Sequence, residues 1–226
     1  MLNYEILGES FQAVQITLDS GEAVQAEPGA LLFMEEGIEM ETTSRGIFGG
    51  LKRIFSRESF FLTIFRNTTD VPLSVCFAAP YPGTIIPIEL EESSILCKRG
   101  AFLCSSLSVE ISVAVQRKPL SGMKGADGFI LQKLSGTGTA FIHAAGSVIE
   151  RELGEGEGIR VDPDSLVAFT EEVRHDLTLL GGIKNALFGG EGPFLLKLKG
   201  PGRVYLQTLP LRRLRQVLFP PELRKK

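Results

Sequence analysis

The sequence predicts an all-β protein, and three observations support this class. Short apolar runs alternate with period two, as at Val109, Ile111, Val113 and Val115, which are separated by small or polar residues. Glycine supplies 25 of the 226 residues, above the usual share of ~7%, and together with proline it separates these runs into strands and tight turns. Helix signals stay weak until the C-terminus, where we expect one short helix.

Internal repetition predicts how the strands are organised. Four runs open alike, ending in Phe11, Phe60, Phe129 and Phe194, which we expect to begin equivalent strands and to be buried. An acidic turn that leads into an apolar strand recurs at residues 27–32, 91–96 and 162–167, with starting points 64 and 71 residues apart. We therefore expect one pseudo-symmetric domain over residues 1–210, built from three similar modules at roughly 1–57, 58–126 and 127–210. Residues 211–226 form a basic tail.

The composition excludes several classes of protein. Hydrophobic residues make up 43% and charged residues 23% of the chain, which is typical of folded globular proteins and not of disordered ones. No apolar run approaches the ~18 residues of a membrane-spanning helix. The net charge of -3, with a pI near 5.6, gives no global attraction for nucleic acid. The first ten residues contain Glu5 and Glu9 and no basic leader, so we expect no signal peptide.

The three cysteines are expected to be free thiols. An odd count leaves at least one thiol unpaired, and no zinc-type spacing occurs. If Arg99 and Gly100 form a hairpin loop, Cys97 faces Phe102 and Cys104 faces Ile95, so the two sulfurs do not meet. Small buried cysteines are typical of a reducing cytoplasm, which is the compartment we expect.

No catalytic, metal-binding or cofactor-binding site is predicted. His143 lies between apolar neighbours and is interpreted as a strand histidine with its hydrogen bonds satisfied. Glu171, His175 and Asp176 could ligate a metal, but they lack the spaced histidine pair or cysteine set of a specific site, so a solvated loop or strand face is favoured. There is no Gly-x-Ser-x-Gly or Walker loop, and the Gly/Glu stretch 154–158 is interpreted as a turn between strands.

Two kinds of segment are candidates for binding. The tail holds six basic residues against Glu222, a charge of 6 - 1 = +5, and its Arg212, Arg213 and Arg215 could contact nucleic acid or an anionic surface; a merely soluble end is the alternative. Two Gly/hydrophobic segments, residues 46–55 and 181–190, carry apolar side chains with basic flanks and would suit a subunit contact or a membrane surface. Capping of the sheet core is the alternative. The residues involved are Ile47, Phe48, Leu51, Lys52, Arg53, Ile54 and Phe55 in the first segment, and Ile183, Lys184, Leu187 and Phe188 in the second.

Three stretches resemble the family named for altered inheritance of mitochondria. They are GPFLLKLKGPGRVYLQT (192–208), GTGTAFIHAAG (136–146) and VDPDSLVAF (161–169), and the resemblance extends over about residues 9–208. It implies a β fold like that of the trp RNA-binding attenuation protein, built from double-stranded β-helix-like modules, and no established enzymatic activity. Mitochondrial relatives are associated with organising the inner membrane, but we expect no targeting presequence here, so that location does not transfer.

These observations predict a non-catalytic binding or assembly protein without cofactor. We expect a cytoplasmic homo-oligomer that contacts a protein partner or a membrane surface, and no nucleic-acid partner. An RNA binder, suggested by analogy of fold, and an unrecognised small-molecule enzyme are the alternatives.

Overall fold

The protein is made almost entirely of β-strands. Side chains alternate between buried and exposed along many of these strands, and the buried ones form two hydrophobic cores. The computed structural model describes residues 1–44, 61–117, 129–179 and 194–219. Within these ranges all elements are strands except one short C-terminal helix, so the all-β prediction is confirmed. The strands are β1 (Asn3–Leu7), β2 (Ala13–Leu18), β3 (Ala23–Ala26), β4 (Leu31–Met34), β5 (Ile38–Ser44), β6 (Phe61–Asn67), β7 (Leu73–Ala78), β8 (Gly83–Lys98), β9 (Phe102–Ser106), β10 (Val109–Arg117), β11 (Phe129–Ala145), β12 (Val148–Leu153), β13 (Gly158–Val161), β14 (Leu166–Thr170), β15 (Arg174–Leu179), β16 (Phe194–Lys199) and β17 (Gly202–Gln207), and the helix is α1 (Leu211–Leu218).

The chain divides into two compact units. The first unit comprises Met1–Ser93, Phe102–Glu110 and Ser135–His143. The second unit comprises Ser94–Ala101, Ile111–Leu134 and Ala144–Lys226. The long strands β8 and β11 each contribute residues to both units. The predicted division into three modules stays a prediction, because the boundaries near residues 57 and 126 lie outside the described residues.

In the first unit, an antiparallel four-stranded sheet has the order β1-β2-β7-β4. Separately, β3 pairs with β6 and β9, and β5 pairs with β6. Strand β2 shows why these residues form a strand, because Val14, Ile16 and Leu18 are fully buried and alternate with half-buried neighbours. The core of this unit consists of Val14, Ile16, Leu18, Val24, Ala26, Ala30, Ile38, Phe65, Val75, Phe77, Ile85, Leu103, Cys104 and Phe141.

In the second unit, β17 pairs with β12 and β14, and β14 also pairs with β8. A separate antiparallel sheet has the order β13-β16-β15. The turn predicted at residues 154–158 connects β12 to β13, and it is closed by a bond of 3.1 Å from the Glu157 amide to the Gly154 carbonyl. The core of this unit consists of Leu96, Phe129, Leu131, Leu153, Val161, Leu166, Phe169, Val173, Leu196, Leu198 and Val204.

The repeated acidic turn is present in two of its three predicted copies. The Ala30 amide donates to the Glu27 carbonyl at 3.1 Å before β4, and the Ser165 amide donates to the Asp162 carbonyl at 2.9 Å before β14. The copy at residues 91–96 lies inside the long strand β8 and begins no new strand. The turn prediction is wrong there because the strand continues through that stretch, with Glu92 in a left-handed conformation (φ 51°).

The predicted hairpin around Arg99 and Gly100 is wrong. The turn itself exists, with the Ala101 amide bonded to the Lys98 carbonyl at 2.9 Å. The two flanking strands choose other partners, however: Cys97 of β8 is opposite Ala168 of β14, and Cys104 of β9 is opposite Ala26 of β3. The local turn does not decide the pairing because other strands compete for both edges. All three cysteines are free and buried, as predicted.

The four phenylalanines predicted to open equivalent strands behave differently. Phe129 is buried at the start of β11, and Phe194 is half-buried at the start of β16. Phe11 is 74% exposed and makes an isolated bridge to Gly83, so its predicted burial is wrong. Phe60 lies outside the described residues.

Candidate functional site

The two Gly/hydrophobic segments predicted as binding elements, residues 46–55 and 181–190, lie outside the described residues. The choice between an interface and a core cap stays a prediction. The candidate site is therefore built from side chains that the structure does describe.

Strand β4 is positioned by hydrogen bonds at both of its ends. Gly29 adopts a left-handed conformation (φ 85°) that turns the chain before the strand. The Ala30 carbonyl then accepts a bond of 2.9 Å from the Ala78 amide of β7. Beyond the strand, the Glu35 amide donates to the Ser74 carbonyl at 3.0 Å, and the Ser74 amide donates to the Glu35 carboxylate at 2.5 Å. These bonds hold β4 against β7 at the end of the four-stranded sheet.

All four side chains of β4 are apolar and exposed to solvent. The exposed fractions are 36% for Leu31, 59% for Leu32, 44% for Phe33 and 37% for Met34. Successive side chains of a strand point to opposite faces, so the strand is open on both faces. Among the described residues β4 pairs with β7 alone, with a register shift between Leu31 and Phe33. An apolar edge strand of this kind is a template for pairing with another chain.

A pocket extends the apolar surface beside β4. It has a volume of about 350 Å³, and its lining includes Leu32 of β4, Phe11 and the Pro80-Tyr81-Pro82 corner. Phe11 is 74% exposed at its rim. We name Leu31–Met34 together with Phe11 and this pocket the β4 surface. A surface with protruding apolar side chains beside a cavity is suited to protein contact.

His143 is buried in the first unit without a hydrogen-bond partner for either ring nitrogen among the described residues. Its ring packs edge-on against Tyr81, with ring centroids 4.7 Å apart. Burial lowers its pKa to about 4, so the ring is neutral at physiological pH. The prediction of a strand histidine is confirmed, while the satisfaction of its hydrogen bonds stays a prediction, since among the described residues its ring meets the aromatic ring of Tyr81.

The candidate metal ligands are not brought together. In the described ranges no group of three or more histidine, cysteine or carboxylate side chains could hold a metal ion. His175 of β15 packs against Phe169, with centroids 5.1 Å apart, and Glu171 bonds Lys133 at 2.6 Å. Both residues serve contacts within the second unit.

The arginines of α1 bind an acidic turn of the same chain. Arg212 Nε lies 2.6 Å from Asp164 Oδ2, and Arg213 Nη2 lies 3.4 Å from Asp162 Oδ2. Lys98 Nζ contacts the other Asp164 oxygen at 2.9 Å. Burial favours the neutral form of Asp164, but Lys98 and Arg212 outweigh it and hold its pKa below the usual range. Two of the three arginines proposed for an anionic surface are therefore engaged, while Arg215 is exposed.

A family model described as Mitochondrial biogenesis AIM24 matches residues 4–209, nearly the whole chain. The chain belongs to this family. It is 27% identical, over 209 residues, to an uncharacterized protein of Streptococcus pyogenes serotype M6; the match spans 89% of this chain and 83% of that protein. Its fold is similar to the crystal structure of a Streptococcus pyogenes protein, with a TM-score of 0.78 and 24% identity over 96% of this chain and 98% of the other.

Membership in the AIM24 family confirms the resemblance found in the sequence, and the likeness to the solved structure confirms the fold. Neither relative carries a described activity, so the site must be argued from this chain. No helix in the described part of the chain is long and apolar enough to cross a membrane.

Sequence reasoning missed the β4 surface in this AIM24 protein. The acidic turn at residues 27–32 predicts only that an apolar strand follows, and the consecutive apolar residues Leu31-Leu32-Phe33-Met34 are equally typical of a strand buried on both faces. The signal that could have found it is weak: the run is short and is followed directly by Glu35 and Glu36. Strand β4 lies at the edge because of the way β7 chooses its partners, and strand pairing of this kind is decided by the tertiary structure and not by the local sequence.

Proposed function

We propose that this protein is a non-catalytic binding and assembly protein that contacts another protein through the β4 surface. The observation that carries the proposal is the exposure of four consecutive apolar side chains on an edge strand. Edge strands of proteins that act alone are commonly protected by charges, proline or a covering element. Retaining an unprotected apolar edge is favourable where a partner covers it.

A non-catalytic role agrees with the environment of His143. General acid–base catalysis requires a group that exchanges protons near the working pH within reach of a substrate. His143 is 2% exposed and its pKa is about 4, so it is placed for packing. We also propose a cytoplasmic location, in keeping with three buried free thiols.

Photo-crosslinking in living cells tests the proposal. Phe33 of β4 is replaced by benzoyl-phenylalanine, and Ile149, an exposed residue of β12 (49%), is replaced in the control. We expect cross-linked products at position 33, identified by mass spectrometry, that disappear when Leu32→Asp is added. Equal yields at positions 33 and 149, or no protein product at position 33, would overturn the proposal. A product with lipid alone would point instead to a membrane surface.

A further inference from the structure

We infer that helix α1 is a membrane-contact site that lies along the interface of an anionic lipid bilayer. The inference goes beyond the proposed function, because α1 belongs to the second unit and β4 belongs to the first. Three observations carry it: the ion pairs that turn one face of the helix toward its own unit, the apolar face that is left open, and the cations beside that face.

Backbone hydrogen bonds fix the start of α1 to the second unit. The Leu209 amide donates to the Ala145 carbonyl at 3.1 Å, immediately before the helix. Pro210 is buried, and its carbonyl accepts a bond of 2.8 Å from the Arg213 amide in the first turn. The place at which the helix leaves the unit is therefore set by the main chain.

The polar face of α1 is turned toward the second unit. At 3.6 residues per turn, one side of the helix carries Arg212, Arg213, Arg215 and Gln216. Arg212 lies near the middle of this side, and its Nε is 2.6 Å from Asp164 Oδ2. Arg213 Nη2 is 3.4 Å from Oδ2 of Asp162, a side chain that is only 9% exposed. These ion pairs determine which side of the helix faces inward.

The apolar face of α1 is open to solvent as a result. It consists of Leu211, Leu214, Val217 and Leu218, and Phe219 follows directly. Val217 is 76% exposed, Phe219 is 59% exposed, and none of the eight residues of the helix is buried. A surface helix of a globular protein ordinarily packs its apolar side on the core. Helix α1 is reversed, so its apolar side is available to an apolar medium outside the unit.

The charges beside this face favour an anionic bilayer. Residues 211–219 include three arginines and no acidic residue, and residues 220–226 add three cations against one carboxylate. Arg215 is exposed and lies next to Leu211 on the helix surface. Its aliphatic stem can rest beside the apolar groups while its guanidinium reaches the lipid phosphates. Leucines on one face and arginines on the other are typical of helices that lie in a membrane interface.

The size of the site sets the expected affinity. Eight helical residues extend over ~12 Å, so the apolar contact is small and the binding should be reversible. Each cation near an anionic membrane surface strengthens binding by about fivefold. We therefore expect binding to anionic vesicles to be at least about tenfold stronger than binding to neutral ones.

Tryptophan fluorescence tests the inference directly, because the chain contains no tryptophan. Phe219→Trp places a single indole beside the apolar face, and Ile149→Trp places one on β12 of the same unit as the control. Each protein is titrated with vesicles of phosphatidylcholine, with and without phosphatidylglycerol. We expect the emission of the Phe219→Trp protein to move to shorter wavelength only with phosphatidylglycerol, because the indole leaves water. The emission of the control should not change.

Two further changes in the Phe219→Trp protein separate the apolar contribution from the charged one. Val217→Gln combined with Leu218→Gln should weaken vesicle binding by at least about tenfold. Arg215→Gln should weaken it by about fivefold at low salt and by less at high salt. None of these side chains is buried, so circular dichroism should show an unchanged fold.

Two results would overturn the inference. The first is an unchanged emission of the Phe219→Trp protein with anionic vesicles, or an equal shift in the control. The second comes from benzoyl-phenylalanine at position 219 in living cells: cross-links to a protein and none to lipid would assign α1 to a protein partner. Neither result bears on the proposed function, because the β4 surface is tested separately at position 33.

Discussion

Strands β4 and β12 are both edge strands among the described residues, yet they present opposite surfaces. Strand β12 exposes Ile149, Glu150, Arg151 and Glu152. Its Glu150 carboxylate lies 3.1 Å from Arg203 Nε of β17. Strand β4 exposes four apolar side chains and no charge. Charged residues on an edge discourage pairing with another chain, so the difference indicates that β12 is protected and that β4 is available for contact.

The contrast shows that exposure alone does not mark a contact site. Ile149 is 49% exposed and Leu32 is 59% exposed, but Ile149 is followed along its strand by the charged run Glu150-Arg151-Glu152, and Leu32 stands between apolar residues. Single exposed apolar residues are normal on protein surfaces. A contiguous apolar strip on an open edge is the feature that requires an explanation.

The largest expected effect is on the free energy of unfolding, and it distinguishes exposed residues of β4 from the buried residues of β7 on which β4 packs. Phe77 of β7 is fully buried opposite Leu31, and its ring packs on Phe65 with centroids 5.1 Å apart. Phe77→Ala should lower the free energy of unfolding by ~3–5 kcal/mol because it leaves a cavity. Leu32→Asp, which changes an exposed position, should lower it by less than ~1 kcal/mol. Chemical denaturation of both variants measures this, and equal losses would mean that β4 belongs to the core.

The next effect concerns acid stability of the unit that carries β4. The pKa of His143 is about 4 in the folded protein, against about 6.5 for an ordinary histidine. Between pH 6.5 and pH 4 the unfolded chain therefore binds a proton at His143 that the folded chain does not. The folded state keeps its full free energy of unfolding above pH 6.5 and loses part of it as pH falls from 6.5 to 4. At 1.36 kcal/mol per unit of pKa difference this loss is ~3 kcal/mol.

Urea denaturation at pH 7 and at pH 4.5 measures the loss, with His143→Leu as the control. The variant has no imidazole to protonate, so its stability should fall less between the two pH values. An identical fall in the two proteins would show that other groups cause the acid sensitivity.

A smaller effect compares the two edges directly. Leu32→Asp on β4 should lower the yield of protein cross-linked at position 33 by at least about tenfold, because a leucine buried by the partner contributes ~1.5–3 kcal/mol and the new carboxylate would be desolvated. Ile149→Asp on β12 should leave that yield unchanged. Photo-cross-linking at position 33 in both variants, with circular dichroism to check the fold, measures the difference. Equal lowering of the yield would remove the distinction between the edges.

The smallest effect is expected from the charges of the protected edge. Arg203 and Glu150 have side chains that are 49% and 52% exposed, so Arg203→Ala should change the free energy of unfolding by less than ~1 kcal/mol. We expect Arg203→Ala to change only how strongly the melting temperature depends on salt concentration. Thermal melts at low and high salt measure it, and a change above ~2 kcal/mol would show that the pair is structural.

Much of the fold could be predicted from local patterns, because period-two burial is a property of each strand. Val14, Ile16 and Leu18 show the alternation in sequence and are fully buried in β2. The turns before β4 and β14 were predicted from Glu27-Pro28-Gly29 and Asp162-Pro163, since proline and glycine set the backbone locally. The candidate site was not predicted, because the apolar run of β4 has the same pattern as a buried strand.

The sequence by itself determined the β class, the family, the free thiols and the short C-terminal helix, because each depends on residues that act locally or on motifs present in the chain. The tertiary structure alone decided which strand pairs with which. That decision separated Cys97 from Phe102, tied Arg212 to Asp164 and left β4 on an edge. Pairing is a competition among distant strands for the same backbone hydrogen bonds, and no single segment contains its outcome.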